Sequence, residues 1–475
     1  MVKLTHPTMF DNFEIAGIWS LTDKFEKHSV GILTYTATKN YELKLKLTDT
    51  AINQLIEIPV IYGISSNSER ITLLSNRVIK SNVGAFSSVT ISIEKAIIGP
   101  KFFKEGDERG IKKVSFGFYK LNEWMNLPVW NHDYDPSEDL YTIWHKKFPL
   151  REYRIDNIEG FIGENYVFNQ NFSVENTNIS IPIENFYTLS FDHEKKLDEV
   201  YRCINKIVQF FYVLFGSELP LKFIEFEYGQ TKIGDREFAD KYRVYIRQIA
   251  KVQPEKTRTY ELFSYNTIAE NLSCYLTNWF SFYSDLETIV KTYVGDLQIT
   301  SFIETQFLNA CRNVEIFHRL YLEKKKVESL EIESMRTKLL EIIGDEEKSV
   351  KEYFSERITH TGEETLSIRI KESLAIVPDA ILKEAIIYNS RSLSKSKNRF
   401  VRACVNTRNF LTHGSQDKSR YQPLFEKENL YIVTKVLSTI TRYFILNRIK
   451  IDSEILEEKI LEDMKRKGIT GNKLS

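Results

Sequence analysis

Residues 395–414 read KSKNRFVRACVNTRNFLTHG, and this stretch decides what kind of domain forms the C-terminal part of the chain. Val401, Cys404 and Arg408 follow one another at spacings of three and four residues, which is typical of one face of a helix. Glycine is common just past helix ends, so Gly414 marks the expected end. The stretch therefore predicts a basic helix with one packed face that starts apolar and ends in an arginine.

The end of this predicted helix holds two side chains suited to phosphate chemistry. The guanidinium of Arg408 stays charged and binds phosphate oxygens in pairs, and the imidazole of His413 suits proton transfer at physiological pH. On a regular helix the two residues lie about 140° apart, because each residue adds about 100°. The two side chains therefore converge only if the last turn unwinds or if a second copy of the chain supplies its own pair.

Positive charge is concentrated around these two residues. The whole chain has a formal net charge of zero, which argues against attraction of nucleic acid to its entire surface. Residues 383–420, however, contain nine basic and two acidic side chains, a net charge of +7. Such a patch attracts phosphates, although a basic helix beside acidic neighbours is also compatible with a merely solvated face. The candidate RNA-binding residues are Lys395, Lys397, Arg399, Arg402, Lys418 and Arg420.

The segment from Arg408 to His413 resembles the signature of HEPN ribonucleases, in which an arginine, a polar residue and, after a short interval, a histidine follow one another. The form RNFLTH is similar in particular to the ApeA-like branch, bacterial anti-phage proteins with a separate N-terminal domain. Asn309–Arg319 resembles the first HEPN helix of that branch, and Phe13–Trp19 with Gly31–Leu33 resembles its N-terminal domain. At motif level the similarity covers most of the chain.

This resemblance implies an endoribonuclease of anti-phage defence that needs no metal or other cofactor and acts as a homodimer or larger homo-oligomer. RNA carries its own nucleophile, the 2′-hydroxyl, so cleavage would give 2′,3′-cyclic phosphate and 5′-hydroxyl ends. A candidate target is tRNA, the N-terminal domain would sense a phage-derived trigger, and RNA destruction would cause abortive infection. The implied catalytic residues are Arg408, His413, Asn409 and Glu315.

Each of these residues also has a purely structural interpretation. His413 can stabilise the negative end of its helix, and Arg408 can be a buried ion-pair partner. Asn409 can cap the helix or bridge backbone groups. Glu315 can pair with the arginines three positions before and four positions after it, or it can hold the catalytic arginine. For the whole protein, the alternative function is a non-catalytic, HEPN-like dimeric module that binds RNA or protein, and a third is a patch that serves assembly alone.

The N-terminal part of the chain, about 190 residues, reads mainly as strands. Apolar and polar residues alternate over Thr34–Leu47 and over Val89–Glu94, as in half-buried strands. Lys113–Phe118 and Thr177–Ile183 are further predicted strands, and turns rich in Asn, Ser and Gly separate the predicted strands. An antiparallel sheet or sandwich is the expected result.

Helical periodicity first appears at Glu194–Phe215 and dominates from about Ile268 onward. A chain of 475 residues exceeds what one core usually supports, so two domains are expected. We predict an α+β protein with a β-rich domain containing some helices over residues 1–285 and an all-α helical bundle over residues 286–475. Other predicted elements are strands at Leu221–Tyr228 and Tyr242–Ile246 and helices at Lys351–Ile376, Pro378–Tyr388 and around Leu430–Phe444.

Several function classes lack support in the sequence. No GxxxxGK[ST], GxGxxG or GxSxG motif occurs, so nucleotide hydrolysis, dinucleotide redox chemistry and serine-hydrolase chemistry are not indicated. No signal peptide and no apolar run long enough to span a bilayer is found, so we expect a cytoplasmic protein without membrane contact. The cysteines are far apart and predict buried reduced thiols rather than a metal site. They are Cys203, Cys274, Cys311 and Cys404.

Overall fold

The structure is a computed structural model, and its contacts divide the chain into two units. Unit 1 comprises Met1–Tyr283 with Leu297–Thr300, and unit 2 comprises Ser284–Asp296 with Ser301–Ser475. Unit 1 is mainly β and unit 2 is helical, which confirms the predicted α+β class. The residues that the structure describes are 7–37, 42–48, 57–82, 87–104, 110–146, 148–168, 173–175, 178–180, 183–249, 261–299, 301–322, 330–344, 346–359, 365–386, 392–413 and 427–470.

The strands of unit 1 are β1 (Phe13–Ser20), β2 (Ser29–Thr36), β3 (Glu42–Thr48), β4 (Glu57–Ser65), β5 (Arg70–Asn82), β6 (Ser88–Gly99), β7 (Ile111–Phe118), β8 (Trp130–Asp135), β9 (Leu140–His145), β10 (Glu152–Ile155), β11 (Gly160–Phe168), β12 (Ser173–Glu175), β13 (Asn178–Ser180), β14 (Ile183–Lys195), β15 (Leu221–Ile233) and β16 (Arg236–Ile246). Twelve of them form one antiparallel sheet in the order β10-β11-β14-β7-β15-β16-β6-β3-β2-β1-β4-β5. Because β5 also pairs with β6, strands β1 to β6 close into a barrel. The predicted antiparallel sheet is therefore confirmed, in a partly closed form rather than as a sandwich.

The predicted strand Thr34–Leu47 is two strands in the structure. β2 ends at Thr36 and β3 begins at Glu42, and the two pair antiparallel with Tyr35 opposite Leu43. Because apolar and polar residues alternate on both sides of the reversal, a period of two does not reveal it. Within β3 the predicted pattern holds, since all three leucines point into the barrel and are buried.

A tryptophan fills part of the barrel interior. Trp19 is fully buried, and its indole N–H donates to the carbonyl oxygen of Gly31 at 3.1 Å. Gly63 lies against the same ring, and a Cβ at that position would come 2.3 Å from Trp19 Cζ3. Gly63 therefore leaves the space that the tryptophan ring occupies.

The helices of unit 1 are α1 (Leu121–Met125), α2 (Leu197–Phe215) and α3 (Tyr265–Ile268). The predicted helix Glu194–Phe215 starts three residues later in the structure, because β14 runs on to Lys195. It ends as predicted at Gly216, whose φ of 66° is in the left-handed region that favours glycine. The apolar face of α2 packs on β7, with the rings of Phe211 and Phe118 4.9 Å apart.

The next helix, α4 (Leu272–Gln298), contributes residues to both units. The other helices of unit 2 are α5 (Ile303–Tyr321), α6 (Leu330–Gly344), α7 (Lys348–Thr359), α8 (Leu366–Ala375), α9 (Asp379–Ile386), α10 (Leu393–His413), α11 (Lys427–Arg448) and α12 (Ser453–Lys467). Helices α5 and α11 pack together through stacked rings of Phe317 and Phe444, whose centroids are 4.1 Å apart. This packing gives the predicted bundle a core.

Two predicted elements have different boundaries. The predicted helical stretch Lys351–Ile376 contains most of α7, which ends at Thr359, and all of α8, which begins at Leu366, whereas residues 360–364 lie outside the described residues. Thr365 starts the second helix, since its hydroxyl oxygen accepts the N–H of Ile368 at 3.4 Å. The predicted strand Thr177–Ile183 contains β13 and the first residue of β14.

All four cysteines are free thiols, but only Cys311 and Cys404 are buried. Cys274 is exposed on α4 and Cys203 is half-buried on α2, so the prediction that all four are buried is wrong for these two. A cysteine within a helical sequence pattern can lie on either face of that helix, so the pattern does not show whether its thiol is buried. None of the helices in the described ranges has the length and apolarity needed to cross a membrane.

Candidate active site

The predicted basic helix is α10, which begins two residues before Lys395 and is regular through His413. Its inner face buries Phe400, Cys404 and Thr407, and the helix packs against α5, α8 and α9. Because α10 stays regular up to its last described residue, the proposed unwinding of the last turn is not found. Gly414 lies outside the described residues.

Arg408 is half-buried where α10 packs on α5. Its Nη1 donates to the amide oxygen of Asn409 at 3.2 Å. On α5, burial raises the pKa of the Cys311 thiol to about 12, with the charge of Arg408 opposing this rise and that of Glu315 adding to it. Cys311 is therefore a neutral thiol, and both charged groups lie close enough to act on it. Among the described residues, no carboxylate forms an ion pair with Arg408.

Glu315 pairs with two other arginines. Its Oε1 accepts from Arg319 Nη2 at 3.0 Å, one turn along α5, and from Arg369 Nη1 at 2.6 Å, on α8. Arg369 is almost completely buried. The pairing predicted from helix spacing is thus found for Arg319, whereas Glu315 accepts no hydrogen bond from Arg408 in the described structure. Glu315 neutralises Arg369 and leaves Arg408 with its amide partner.

His413 is exposed at the end of α10, on a different side of the helix from Arg408. At about 100° per residue, the eighteen positions between Lys395 and His413 make about five full turns, so these two side chains share one face. Arg399 and Arg402 lie within about 40° of the same line. All four side chains are exposed. The outer face of α10 is therefore a basic strip that ends at His413.

Three of the other predicted RNA-binding residues have a different status. Lys397 is turned inward, with 24% of its side chain exposed, and pairs with Asp379 of α9 at 3.3 Å. This ion pair joins α10 to the first turn of the neighbouring helix α9. Lys418 and Arg420 lie outside the described residues.

Two polar residues of α8 were not singled out from the sequence. Besides Arg369, Glu372 lies one turn further along α8, and its Oε2 is 2.8 Å from Nε2 of His318. His318 has no exposed surface, in agreement with its predicted place in the core. Glu315 and His318 are three apart on α5, as are their partners on α8. That matched spacing is the signal that could have suggested the pairing.

The helix α10 presents groups of the kinds that bind a phosphodiester and transfer protons, although on different sides of the helix. Arg408 offers a guanidinium held in place by Asn409, and His413 offers a ring in contact with solvent. The exposed cations of α10 can contact neighbouring phosphates. Within the described part of the chain, no three His, Cys, Asp or Glu side chains form a cluster that could hold a metal ion.

Fold and site together define a protein with a β-rich N-terminal part and a helical domain that carries an arginine–histidine motif. Residues 14–279 match the family model ApeA N-terminal domain 1, and residues 308–455 match Apea-like HEPN. The chain therefore belongs to the ApeA-like HEPN family, as its motifs indicated. This is an anti-phage family with nuclease-like domains, and HEPN domains commonly dimerise and bind RNA. No curated protein and no solved structure matches the chain.

Proposed function

We propose that this protein is an endoribonuclease of anti-phage defence and that α10 carries its catalytic residues. The observation that supports this best is the state of Arg408. It is half-buried, it is hydrogen-bonded to an amide, and it is not neutralised by any carboxylate in the described ranges. A cation kept in this state suits a substrate that brings its own negative charge, and the same helix also carries an exposed histidine.

The proposed reaction is attack of a ribose 2′-hydroxyl on the adjacent phosphorus. A bond forms between O2′ and phosphorus, and the bond from phosphorus to O5′ breaks. Either His413 takes the proton from the 2′-hydroxyl and water protonates the leaving O5′, or His413 protonates O5′ and water takes the proton from the 2′-hydroxyl. Arg408 stabilises the negative charge that develops on the phosphoryl oxygens. The products are a 2′,3′-cyclic phosphate and a 5′-hydroxyl.

Two copies of the chain are required by this mechanism. Arg408 and His413 lie about 140° apart on a regular helix, so one copy does not direct both side chains at one phosphate. In a homodimer with two-fold symmetry, Arg408 of one copy can meet His413 of its partner. Asn409 then positions the arginine, and Glu315 contributes by pairing with Arg369, which leaves Arg408 unneutralised.

We further propose a division of labour between residues 1–285 and residues 286–475. The first region senses a phage-derived trigger and keeps the nuclease silent in uninfected cells. The second destroys cytoplasmic RNA, with tRNA as a candidate, and infection aborts because the cell stops growing. Lys395, Arg399 and Arg402 hold the RNA backbone, and this contribution to binding weakens with added salt.

The test is to incubate the purified full-length protein with RNA in EDTA and to map the ends. Cleavage with 2′,3′-cyclic phosphate and 5′-hydroxyl ends supports the proposal. Retention of RNA without cleavage supports the alternative, a non-catalytic RNA-binding dimer. Cleavage that leaves 5′-phosphate ends contradicts the proposed chemistry, because 2′-hydroxyl attack leaves O5′ on the released fragment as a hydroxyl.

A further inference from the structure

The outer face of α10 carries a continuous line of polar side chains. At about 100° per residue, residues 395, 399, 402, 406, 409 and 413 all lie within about 40° of one line that runs along the helix. Because α10 is regular from Leu393 to His413, the line is unbroken. Its members are Lys395, Arg399, Arg402, Asn406, Asn409 and His413, and this line of side chains is the α10 track.

The charged and the neutral groups of the α10 track are separated along the helix. Its three cations are exposed and come first, and two asparagines separate them from His413. Asn406 is half-buried, and its side chain makes no hydrogen bond with another residue in the described ranges. Asn409 accepts a hydrogen bond from Arg408 with its amide oxygen, which leaves its amide nitrogen as a donor. The track therefore offers positive charge first and neutral donors and acceptors nearer the histidine.

The spacing of the α10 track matches one strand of RNA. Its members follow one another every three or four residues, which is one helical turn or about 5.4 Å along the axis. This step is close to the separation of neighbouring phosphates in a stacked strand, so each position can face one nucleotide. The distance along the axis from Lys395 to His413 is about 27 Å, or about five such steps. A phosphate at His413 therefore places Lys395 about five nucleotides away along the strand.

The order of the groups favours an unpaired strand over a duplex. Cations bind the phosphates of either form, but an amide donates and accepts hydrogen bonds and so suits a base edge or a ribose 2′-hydroxyl. In an RNA duplex the major groove is too deep and narrow for side chains to read, and each backbone winds away from a straight line of contacts. The bases of an unpaired strand can turn toward the protein. The α10 track therefore fits unpaired RNA, with its amides at the nucleotides nearest the reacting phosphate.

We propose that the α10 track binds one unpaired strand of RNA and that Asn406 is a specificity-determining residue. Asn406 lies about 10.5 Å before His413 along the helix, so it contacts the nucleotide about two steps from the scissile phosphate. Its amide bonds the base edge or the 2′-hydroxyl of that nucleotide. This proposal rests on the proposed function, which places the scissile phosphate at His413. It adds the substrate class, which is unpaired RNA that extends about five nucleotides to one side of the cleavage site.

Binding tests the track without requiring cleavage. Fluorescence anisotropy of the full-length protein measures the affinity for 2′-O-methyl oligouridylates of about two to ten nucleotides, which lack the attacking hydroxyl. We expect the affinity to rise steeply up to about six nucleotides, one for each position of the track, and only slowly beyond. Lys395→Ala should weaken binding of the six-nucleotide ligand about two- to fivefold, the effect of one exposed ion pair. A ligand of about three nucleotides should lose less, because it can occupy the remaining positions.

The matched control for charge is Lys383→Ala. Lys383 is an exposed lysine of the same basic segment, but it lies on α9 and outside the track. Lys383→Ala should bind ligands of every length like wild type. Thermal unfolding confirms that each variant folds.

Cleavage tests the role of Asn406. In an unpaired RNA with a mapped cleavage site, the nucleotide two steps away on either side is varied among the four bases or, separately, changed to 2′-deoxy. We expect Asn406→Ala to reduce the wild-type discrimination in kcat/KM at one of these nucleotides at least about fivefold. A loss in the base series identifies the base edge as the contact, and a loss in the deoxy series identifies the hydroxyl. Asn398→Ala is the matched control, since Asn398 is exposed on α10 but lies about 60° from the line of the track.

A duplex substrate completes the test. The same RNA annealed to its complement should be cleaved at least about tenfold more slowly than the unpaired strand. A duplex cleaved as fast, an affinity that does not depend on length, or equal effects of Lys395→Ala and Lys383→Ala would overturn the track. Wild-type discrimination in Asn406→Ala would overturn its role in specificity. Cleavage with cyclic-phosphate ends but none of these dependences would leave the proposed function standing, whereas length-dependent binding without cleavage would do the reverse.

Discussion

Two arginines of unit 2 each lie where two helices pack together, and they differ in the charge of their hydrogen-bond acceptors. Arg442, between α11 and α12, is buried and donates from Nη1 to Asp463 Oδ2 at 3.2 Å. Asp463 also accepts from Lys467 at 2.7 Å and from Arg466. Arg408, between α10 and α5, is half-buried and has an amide as its hydrogen-bond acceptor.

The difference separates a structural cation from one that can serve a ligand. A buried charge is tolerated when its counter-charge is bound to it, as for Arg442, and removing one member of such a pair is costly. Arg408 is only half-buried and no carboxylate in the described residues neutralises it, so its guanidinium can attract an incoming anion. Glu315, whose charge acts on the same Cys311 thiol as that of Arg408, is occupied by Arg319 and Arg369.

The largest effect on stability is expected at the structural arginine. Arg442→Ala should lower the free energy of unfolding by about 1–3 kcal/mol, because the buried Asp463 loses a buried guanidinium partner while Arg466 and Lys467 still donate to it. Urea unfolding at neutral pH measures this. The double variant Arg442→Met with Asp463→Leu is the control, since it removes both charges and should recover most of the loss. If Arg442→Ala were as stable as wild type, Arg442 would not be a structural cation, and its proposed difference from Arg408 would be contradicted.

The next effect is expected in activity rather than stability. Arg408→Ala should slow RNA cleavage by about 100- to 1,000-fold, as loss of a group that stabilises transition-state charge does. Its free energy of unfolding should change by less than about 1 kcal/mol, because no buried carboxylate loses its partner. Arg402→Ala, on the exposed face of the same helix, is the matched control and should cost only a few-fold. Cleavage by Arg408→Ala at the Arg402→Ala level would contradict the assignment.

A smaller effect tests whether the site is shared between copies. Arg408→Ala and His413→Ala should each cleave RNA at least about 100-fold more slowly than wild type when alone, yet an equal mixture should regain about a quarter of the wild-type rate. Half of the dimers are then mixed, and each mixed dimer keeps one intact site of two. Rates measured after subunit exchange or co-expression give the answer. No recovery in a mixture shown to contain mixed dimers would place both residues of a site in one copy.

The smallest effect concerns pH. Burial tends to raise the pKa of Asp463, but the charges of Arg442, Lys467 and Arg466 lower it below its ordinary value. A carboxyl whose pKa is depressed on folding stabilises the protein above its unfolded pKa, and this contribution is lost as the pH falls toward the folded value. Between about pH 5 and pH 3, wild type should lose stability more steeply than Asp463→Asn. Urea unfolding of both proteins at several pH values measures this difference. An equal dependence of the free energy of unfolding on pH would show that Asp463 does not contribute as described.

The sequence predicts well what depends on neighbours along the chain. Helix α10 and its inner face follow from a period of three and four, and Gly216 ends α2 because a left-handed residue stops a helix. The burial of His318 follows from its place in the apolar stripe of α5. The divergence of Arg408 and His413 is a consequence of helix geometry alone.

Other features depend on packing between distant segments and were not predictable. Glu315 and Arg369 are 54 positions apart, so their ion pair exists only because α5 packs on α8. The inward turn of Lys397 likewise depends on where α9 places Asp379. The closure of the barrel depends on β5 pairing with β6, and alternation specifies the buried face of a strand without specifying its neighbours.

The central claim is that His413 moves the proton during RNA cleavage. The most direct measurement compares single-turnover cleavage of one RNA by wild type, His413→Ala and Lys395→Ala at saturating enzyme. Lys395 lies on the same exposed face of α10 and controls for the loss of a polar side chain from that face. The account predicts a loss of about 100- to 10,000-fold for His413→Ala, with RNA binding retained, and a loss of a few-fold at most for Lys395→Ala. Cleavage by His413→Ala at the wild-type rate would contradict it.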